Sequence, residues 1–208
     1  MPSAEGTILR LIVEGHSEEQ AAPVLIRRLA QAFGFHSSIR FAVRRVTKSR
    51  LIQPGELEKT LEALARQIGR SRPFLVLLDA DEDCPKDLAD DLKARCRDRH
   101  ADLTIAVVIA NKEYEAWFLA AAKSLSGKGA LDEKLHAPDD PESVQGAKEW
   151  LTARMLPNES YSPTRHQPAY SHLMDLSEAG TARSFRKFEK EVARLLGWNR
   201  RPSTSPKT

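Results

Sequence analysis

Residues 74–83 read Phe74-Leu75-Val76-Leu77-Leu78-Asp79-Ala80-Asp81-Glu82-Asp83. Five consecutive apolar residues suit a strand covered on both faces, because neither face then meets water. The run stops at Asp79, and four of these five residues, 79–83, are acids. A buried strand that hands over to carboxylates puts negative charge on the edge of a sheet.

The flanking sequence repeats this layout. Upstream, Thr7-Ile8-Leu9-Arg10-Leu11-Ile12-Val13 is β-branched and apolar and ends at Glu14-Gly15. Residues 39–46 alternate Ile39, Phe41 and Val43 with Arg40, Ala42 and Arg44, a second strand. Residues 103–109 form a fourth apolar run, followed by Glu113 and Glu115. Helical patterns separate these runs. The first has Ser17 at the N-cap, Gln20 at the capping-box position, and an apolar face of Leu25, Ile26, Leu29, Ala30 and Phe33 that ends at Gly34. The second follows Pro54-Gly55 with a stripe of Leu57, Leu61, Leu64, Ala65 and Ile68, a third spans residues 86–99, and a fourth begins after the last run, over Glu113 to Lys123. Strands alternating with helices predict an α/β fold, a parallel sheet with helices on both faces and right-handed crossovers.

Past Ser124 the texture changes. Gly127, Gly129, Pro138, Pro141 and Pro157 punctuate shorter helical patterns at residues 144–155 and 165–176. A stronger one at residues 183–196 carries Phe185, Phe188, Val192, Leu195 and Leu196 on one face. The expected organisation is an α/β domain over residues 1–124, a helical C-terminal lobe over 125–198 packed on it, and a flexible tail at 199–208.

Composition narrows the classes. At 208 residues and 41% hydrophobic content the chain can bury one core, and disorder throughout is excluded. Two cysteines, Cys84 and Cys96, are too few for a disulfide scaffold. No apolar run approaches the roughly 18–20 residues of a membrane span, and the first residues lack a basic-then-apolar leader. The expectation is a cytoplasmic protein with no membrane partner. Net charge is only +3, but it is unevenly spread. Residues 79–91 hold seven acids against Lys86, residues 40–50 hold five bases and no acid, and residues 183–208 hold eight bases against Glu189 and Glu191. An acidic focus between basic stretches suits a metal site beside a phosphate-binding surface, although each basic stretch taken alone also reads as a solvated face.

Three acid groups follow strands: Glu14, then Asp79, Asp81 and Asp83, then Glu113 and Glu115. Ligands of open parallel sheets bind outside the carboxyl ends of the strands. Two carboxylates about 4 Å apart repel by about 1 kcal/mol in water and about 4 kcal/mol at an effective dielectric of 20. Such a cluster binds a divalent cation or holds a proton. Oxygen donors with no His or Cys grouping point to Mg²⁺ or Mn²⁺ rather than zinc. The competing reading is that these acids are helix caps, worth around 1 kcal/mol each. A cap, however, needs only one of Asp79, Asp81 and Asp83.

Val13-Glu14-Gly15, followed by a strand ending Leu78-Asp79-Ala80-Asp81, resembles the Toprim domain of primases, topoisomerases and overcoming-lysogenization-defect-type nucleases. The wider pattern of VEGHSEE, DADEDCP, NKEYEAWFLA, YSPTRHQ and SFRKFEKEV, spread over residues 13–192, resembles DUF4276, a family of small Toprim-like proteins. The resemblance implies a four-stranded parallel sheet in the order 2-1-3-4 with Mg²⁺ at its carboxyl edge. Glu14 then matches the Toprim glutamate, in general acid/base work or metal binding, and Asp79 and Asp81 match the metal-binding pair. Asp83, Glu113 and Glu115 match no core Toprim motif and by position would extend the metal site. The implied function is a metal-dependent nuclease on nucleic acid, in a bacterial defence or mobile-element setting. The alternative is a non-catalytic nucleic-acid- or protein-binding subunit, with a protein partner encoded nearby.

Other candidates carry less. Lys112, Lys123, Lys148, Arg165 and His166 would suit phosphate contacts, but surface solvation is the better reading of each taken singly, and His16 suits helix entry as well as the site. Ser126-Gly127-Lys128-Gly129 lacks the upstream glycine and following Ser or Thr of a P-loop. A phosphatase nucleophile at Asp79 would belong after the first strand, and the chain has no room for the DNA-clasping domain that a topoisomerase tyrosine needs. Trp117, Phe118 and Leu119 read as core.

Overall fold

The computed structural model describes residues 6–198. The tail expected at 199–208 therefore lies outside the described residues. Four strands, β1 (Thr7–Val13), β2 (Ile39–Arg45), β3 (Phe74–Asp79) and β4 (Ile105–Ala110), form one all-parallel sheet in the order β2-β1-β3-β4. The first half contributes helices α1 (Glu18–Ala32), α2 (Lys48–Leu51), α3 (Glu56–Ile68) and α4 (Pro85–Arg99). After β4 come α5 (Ala116–Ala120), α6 (Ala122–Leu125), α7 (Ala147–Thr152), α8 (Pro163–Leu173), α9 (Leu176–Ala179) and α10 (Arg183–Leu195). The predicted α/β class, strand order and C-terminal helices are all present. Among the described residues, no helix is long and apolar enough to cross a membrane.

Strand alternation sorts the core into two layers. Leu9, Leu11, Val13, Leu75, Leu77, Ala106 and Val108 face one side, where α1 and the helices after β4 cover them. Ile12, Phe74, Val76, Leu78, Val107 and Ile109 face the other, under α2, α3 and α4. Trp117, Phe118 and Leu119 are completely buried in the first layer, and Trp117 packs edge-on to Phe185 at 5.4 Å. The helices beyond residue 124 thus share a core with α1 and the sheet.

Two local expectations are corrected. The capping box at Ser17 does not form. Ser17 is itself in the α-region and its side chain makes no cap bond. Gly15 N–H instead donates to Glu18, whose carboxylate folds back because Gly15 has no side chain. A Cβ there would stand 2.5 Å from Glu18 Oε2. The helical pattern expected from Glu113 is broken as well. Residues 113–115 form a turn, and the helix that follows is interrupted at Ala121 between α5 and α6.

Candidate functional site

Parallel pairing brings the ends of β1, β3 and β4 to one rim, with Val13 beside Leu77 and Asp79 beside Ala110. Glu14, the acidic turn 79–83 and residues 111–115 leave the sheet together there. The turn is locked by backbone bonds. Ala80 N–H donates to Ala110 O at 2.9 Å, and Asp81 N–H donates to Lys112 O at 2.8 Å. Both Asp81 (φ 49°) and Lys112 (φ 60°) adopt left-handed backbone, which costs a side-chain-bearing residue about 1–2 kcal/mol. Strain of this kind concentrates at functional sites.

The outer half of the rim is organised by Lys48 of α2. Its Nζ donates to Ala80 O at 2.9 Å, pairs with Asp83 at 3.2 Å and makes a short contact with Asp81. Its backbone N–H donates to Glu14 Oε1 at 3.2 Å. Burial alone would lower the Lys48 pKa, but the carboxylates of Asp81 and Asp83 outweigh it and hold the ammonium above its ordinary value. Asp81 and Asp83 therefore share an internal cation. Glu82 turns outward to Lys112 at 3.3 Å.

The inner half is more deeply enclosed. Asp79 Oδ1 accepts from Tyr114 N–H at 2.8 Å. Desolvation first, then the charges of Glu115 and Glu18, push the Asp79 carboxyl well above its ordinary range. Glu115 has no exposed surface. Its Oε1 accepts from Tyr161 OH at 3.0 Å and from Gln167 Nε2 at 3.3 Å. Lys148 of α7 lies 2.8 Å from Glu113 and 3.4 Å from Glu115. The Glu115 carboxyl is raised by burial, against the opposing pull of Lys148. The Lys148 ammonium is raised because Glu115 and Glu113 outweigh its desolvation. Gln167 Nε2 also reaches Glu18 Oε1 at 3.2 Å, closing a chain of contacts from α8 to α1. Burial likewise raises Glu14, against the bond from Lys48 N–H.

Asp79 thus feels the charges of Glu14, Glu18 and Glu115, and Lys48 contacts Glu14 through its backbone N–H and Asp81 and Asp83 through its ammonium. Glu113 joins through Lys148. Sequence reading passed over Glu18, Lys48 and Gln167 as site residues, weighed Tyr161 only as a topoisomerase nucleophile, and ranked Lys148 as solvated. The one available signal for Glu18 was its position four residues after Glu14. The remaining candidates sit apart. His16 is exposed and bonds Glu19 at 2.7 Å, and Arg165 faces Glu159 at 3.4 Å. His166 is buried between Tyr161 and Tyr170, with ring centroids 5.5 and 5.3 Å away.

The donor set is all oxygen, and one carboxylate oxygen each of Glu14, Glu113 and Glu115 is buried without a hydrogen-bond donor. That chemistry fits a hard divalent cation. The spacing is less complete: among the described residues, no three of His, Cys, Asp and Glu stand close enough together to hold a metal ion as arranged. Lys48 and Lys148 occupy the gaps between the carboxylates.

No curated protein and no solved structure matches the chain. Residues 13–193, most of its length, match the family described as a domain of unknown function, DUF4276, and the chain belongs to that family.

Proposed function

We propose that the carboxyl edge of this sheet is the site of a divalent-cation-dependent phosphodiesterase acting on nucleic acid, related to the Toprim nucleases. The observation that carries the reading is the set of carboxylates from β1, α1, β3 and the β4 turn gathered at one rim, with three buried oxygens left without donors. Mg²⁺ or Mn²⁺, held by Asp79 and Asp81 with Glu14 and with Asp83, Glu113 or Glu115 as auxiliaries, would supply charge stabilisation and an activated water.

The chain's own groups supply the rest. As the alternative to holding the ion, Glu14, with its carboxyl raised by burial, is suited to give a proton to the leaving oxygen. Tyr114 N–H fixes Asp79 at the strand end. Tyr161 and Gln167 fix Glu115 from the C-terminal helices. Lys48 and Lys148 bring positive charge to where a phosphoryl group would enter.

A second reading, a non-catalytic binding subunit, is favoured by one feature: Lys48 already balances Asp81 and Asp83. The two part on experiment. Purified protein with Mn²⁺ is expected to nick plasmid or shorten single strands. Asp81→Asn, which keeps the left-handed backbone available but removes the charge, is expected to abolish this. Wild type and Asp81→Asn equally silent on DNA and RNA, with no heat of Mn²⁺ binding in calorimetry, would select the binding subunit.

A further inference from the structure

We propose that the recess between β2 and α3 is a phosphate subsite that holds the nucleic-acid backbone one strand away from the acidic rim. It rests on the hydrolase reading given above and adds a surface to it. Register places Arg45 of β2 beside Val13, the residue before Glu14, and Val46 N–H continues that ladder to Val13 O at 2.9 Å. Neighbouring strands lie about 4.8 Å apart. Arg44 and Arg45 therefore stand at the same end of the sheet as the acids.

Alternation along the strand turns Arg44 toward α3, where a recess of about 280 Å³ is lined by Arg44, Arg50, Lys59, Thr60 and Gln67 over Ala63 and Leu64. Three bases line it and no acid does. Arg50 and Lys59 share one carboxylate, Glu56, at 2.7 and 3.0 Å. Among the described residues, Arg44 and Arg45 have no acidic partner. Three positive charges against that one acid leave an excess of two at the recess.

The chemistry of the lining selects the ligand. Small-molecule pockets run from about 300 to 1,000 Å³, so this recess suits an oxyanion better than a whole nucleoside. No aromatic side chain lines it, so it offers no stacking platform for a base. Arginine, lysine and a free amide, Gln67, are donors matched to phosphate oxygens, and such contacts position a strand without reading its sequence. The ligand assigned is a phosphodiester of the strand whose neighbouring phosphate lies at the rim.

The test measures the anisotropy of labelled single-stranded oligonucleotides, DNA and RNA, on the full chain in EDTA across a salt series. Arg44→Ala and Lys59→Ala are expected to weaken binding by about threefold or more, each lowering the salt slope by about 0.7. Arg66→Ala, on the same helix but outside the recess, should match wild type. Wild-type affinity and slope in both recess variants would overturn the subsite while leaving the hydrolase reading intact. Arg44-dependent binding without any Mn²⁺-dependent cleavage would sink the hydrolase reading and keep the subsite as a binding surface. If wild type binds inorganic phosphate in calorimetry but no oligonucleotide, the recess is a free-phosphate site and the assignment to nucleic acid fails.

Discussion

Tyr114 N–H donates to Asp79 Oδ1 at 2.8 Å, tying the turn after β4 to the last residue of β3. This bond favours the ionised carboxylate, yet desolvation and the charges of Glu115 and Glu18 prevail and raise the Asp79 pKa. A carboxyl whose folded pKa exceeds its unfolded value binds more protons in the native state. Its contribution to stability is therefore complete below the unfolded value of about 3.9 and is lost as pH rises through the higher folded value. Asp79→Asn keeps the acceptor for Tyr114 and cannot ionise. Urea unfolding of the two proteins across pH should show the variant gaining on wild type as pH rises from about 4 toward neutrality. Parallel curves would refute the raised value.

Lys48 competes with any divalent cation for Asp81 and Asp83. Lys48→Met removes the internal charge while retaining an apolar stem, so Mn²⁺ should bind more tightly, by about tenfold or about 1.4 kcal/mol. Calorimetry reads this directly, and unchanged or weaker Mn²⁺ binding would mean that the ammonium does not stand in the ion's place.

Tyr161 spends its hydroxyl on Glu115, a carboxylate with no exposed surface. Tyr161→Phe leaves that oxygen with only the longer bond from Gln167. The expected loss is about 1–3 kcal/mol of unfolding free energy, the cost of an under-satisfied buried group. Chemical denaturation at neutral pH would check it, and a loss below about 0.5 kcal/mol would show that the enclosure is looser than described.

Glu142 caps α10 from a distant loop, accepting Arg183 N–H and Ser184 N–H at 2.8 Å each. Removing both bonds in Glu142→Ala should cost about 1–2 kcal/mol, the range of a strong N-cap. Its midpoint in urea should fall with an unchanged slope.

The sheet was legible because hydrophobic periodicity is a local property. The continuous run at residues 74–78 and the alternation at 39–43 each announce burial on two faces or one, the helical connections give the parallel direction, and the order 2-1-3-4 comes from the family resemblance. The acids at strand ends were legible for the same reason. What balances them was not. Lys48 lies in a run of bases that reads as a solvated face, and Lys148, Tyr161 and Gln167 come from segments at least 33 residues beyond Glu115 (148 − 115). Only tertiary folding shows that their side chains end on the same carboxylates. Arg10 makes the same point at the opposite end of the sheet, where a base inside an apolar strand is wholly buried and stacks on Phe74 at 4.2 Å.

The two lysines differ in where they come from. Lys48 belongs to the crossover beside β2, whereas Lys148, with Tyr161 and Gln167, arrives from the helices after residue 124. The later third of the chain is thus a working wall of the acidic rim. A piece of the protein that stopped at residue 124 would keep Glu14, Asp79 and Glu115 but leave Glu115 without Lys148, Tyr161 and Gln167. Shuffling these halves between relatives would therefore have to exchange both sides of one electrostatic balance at once.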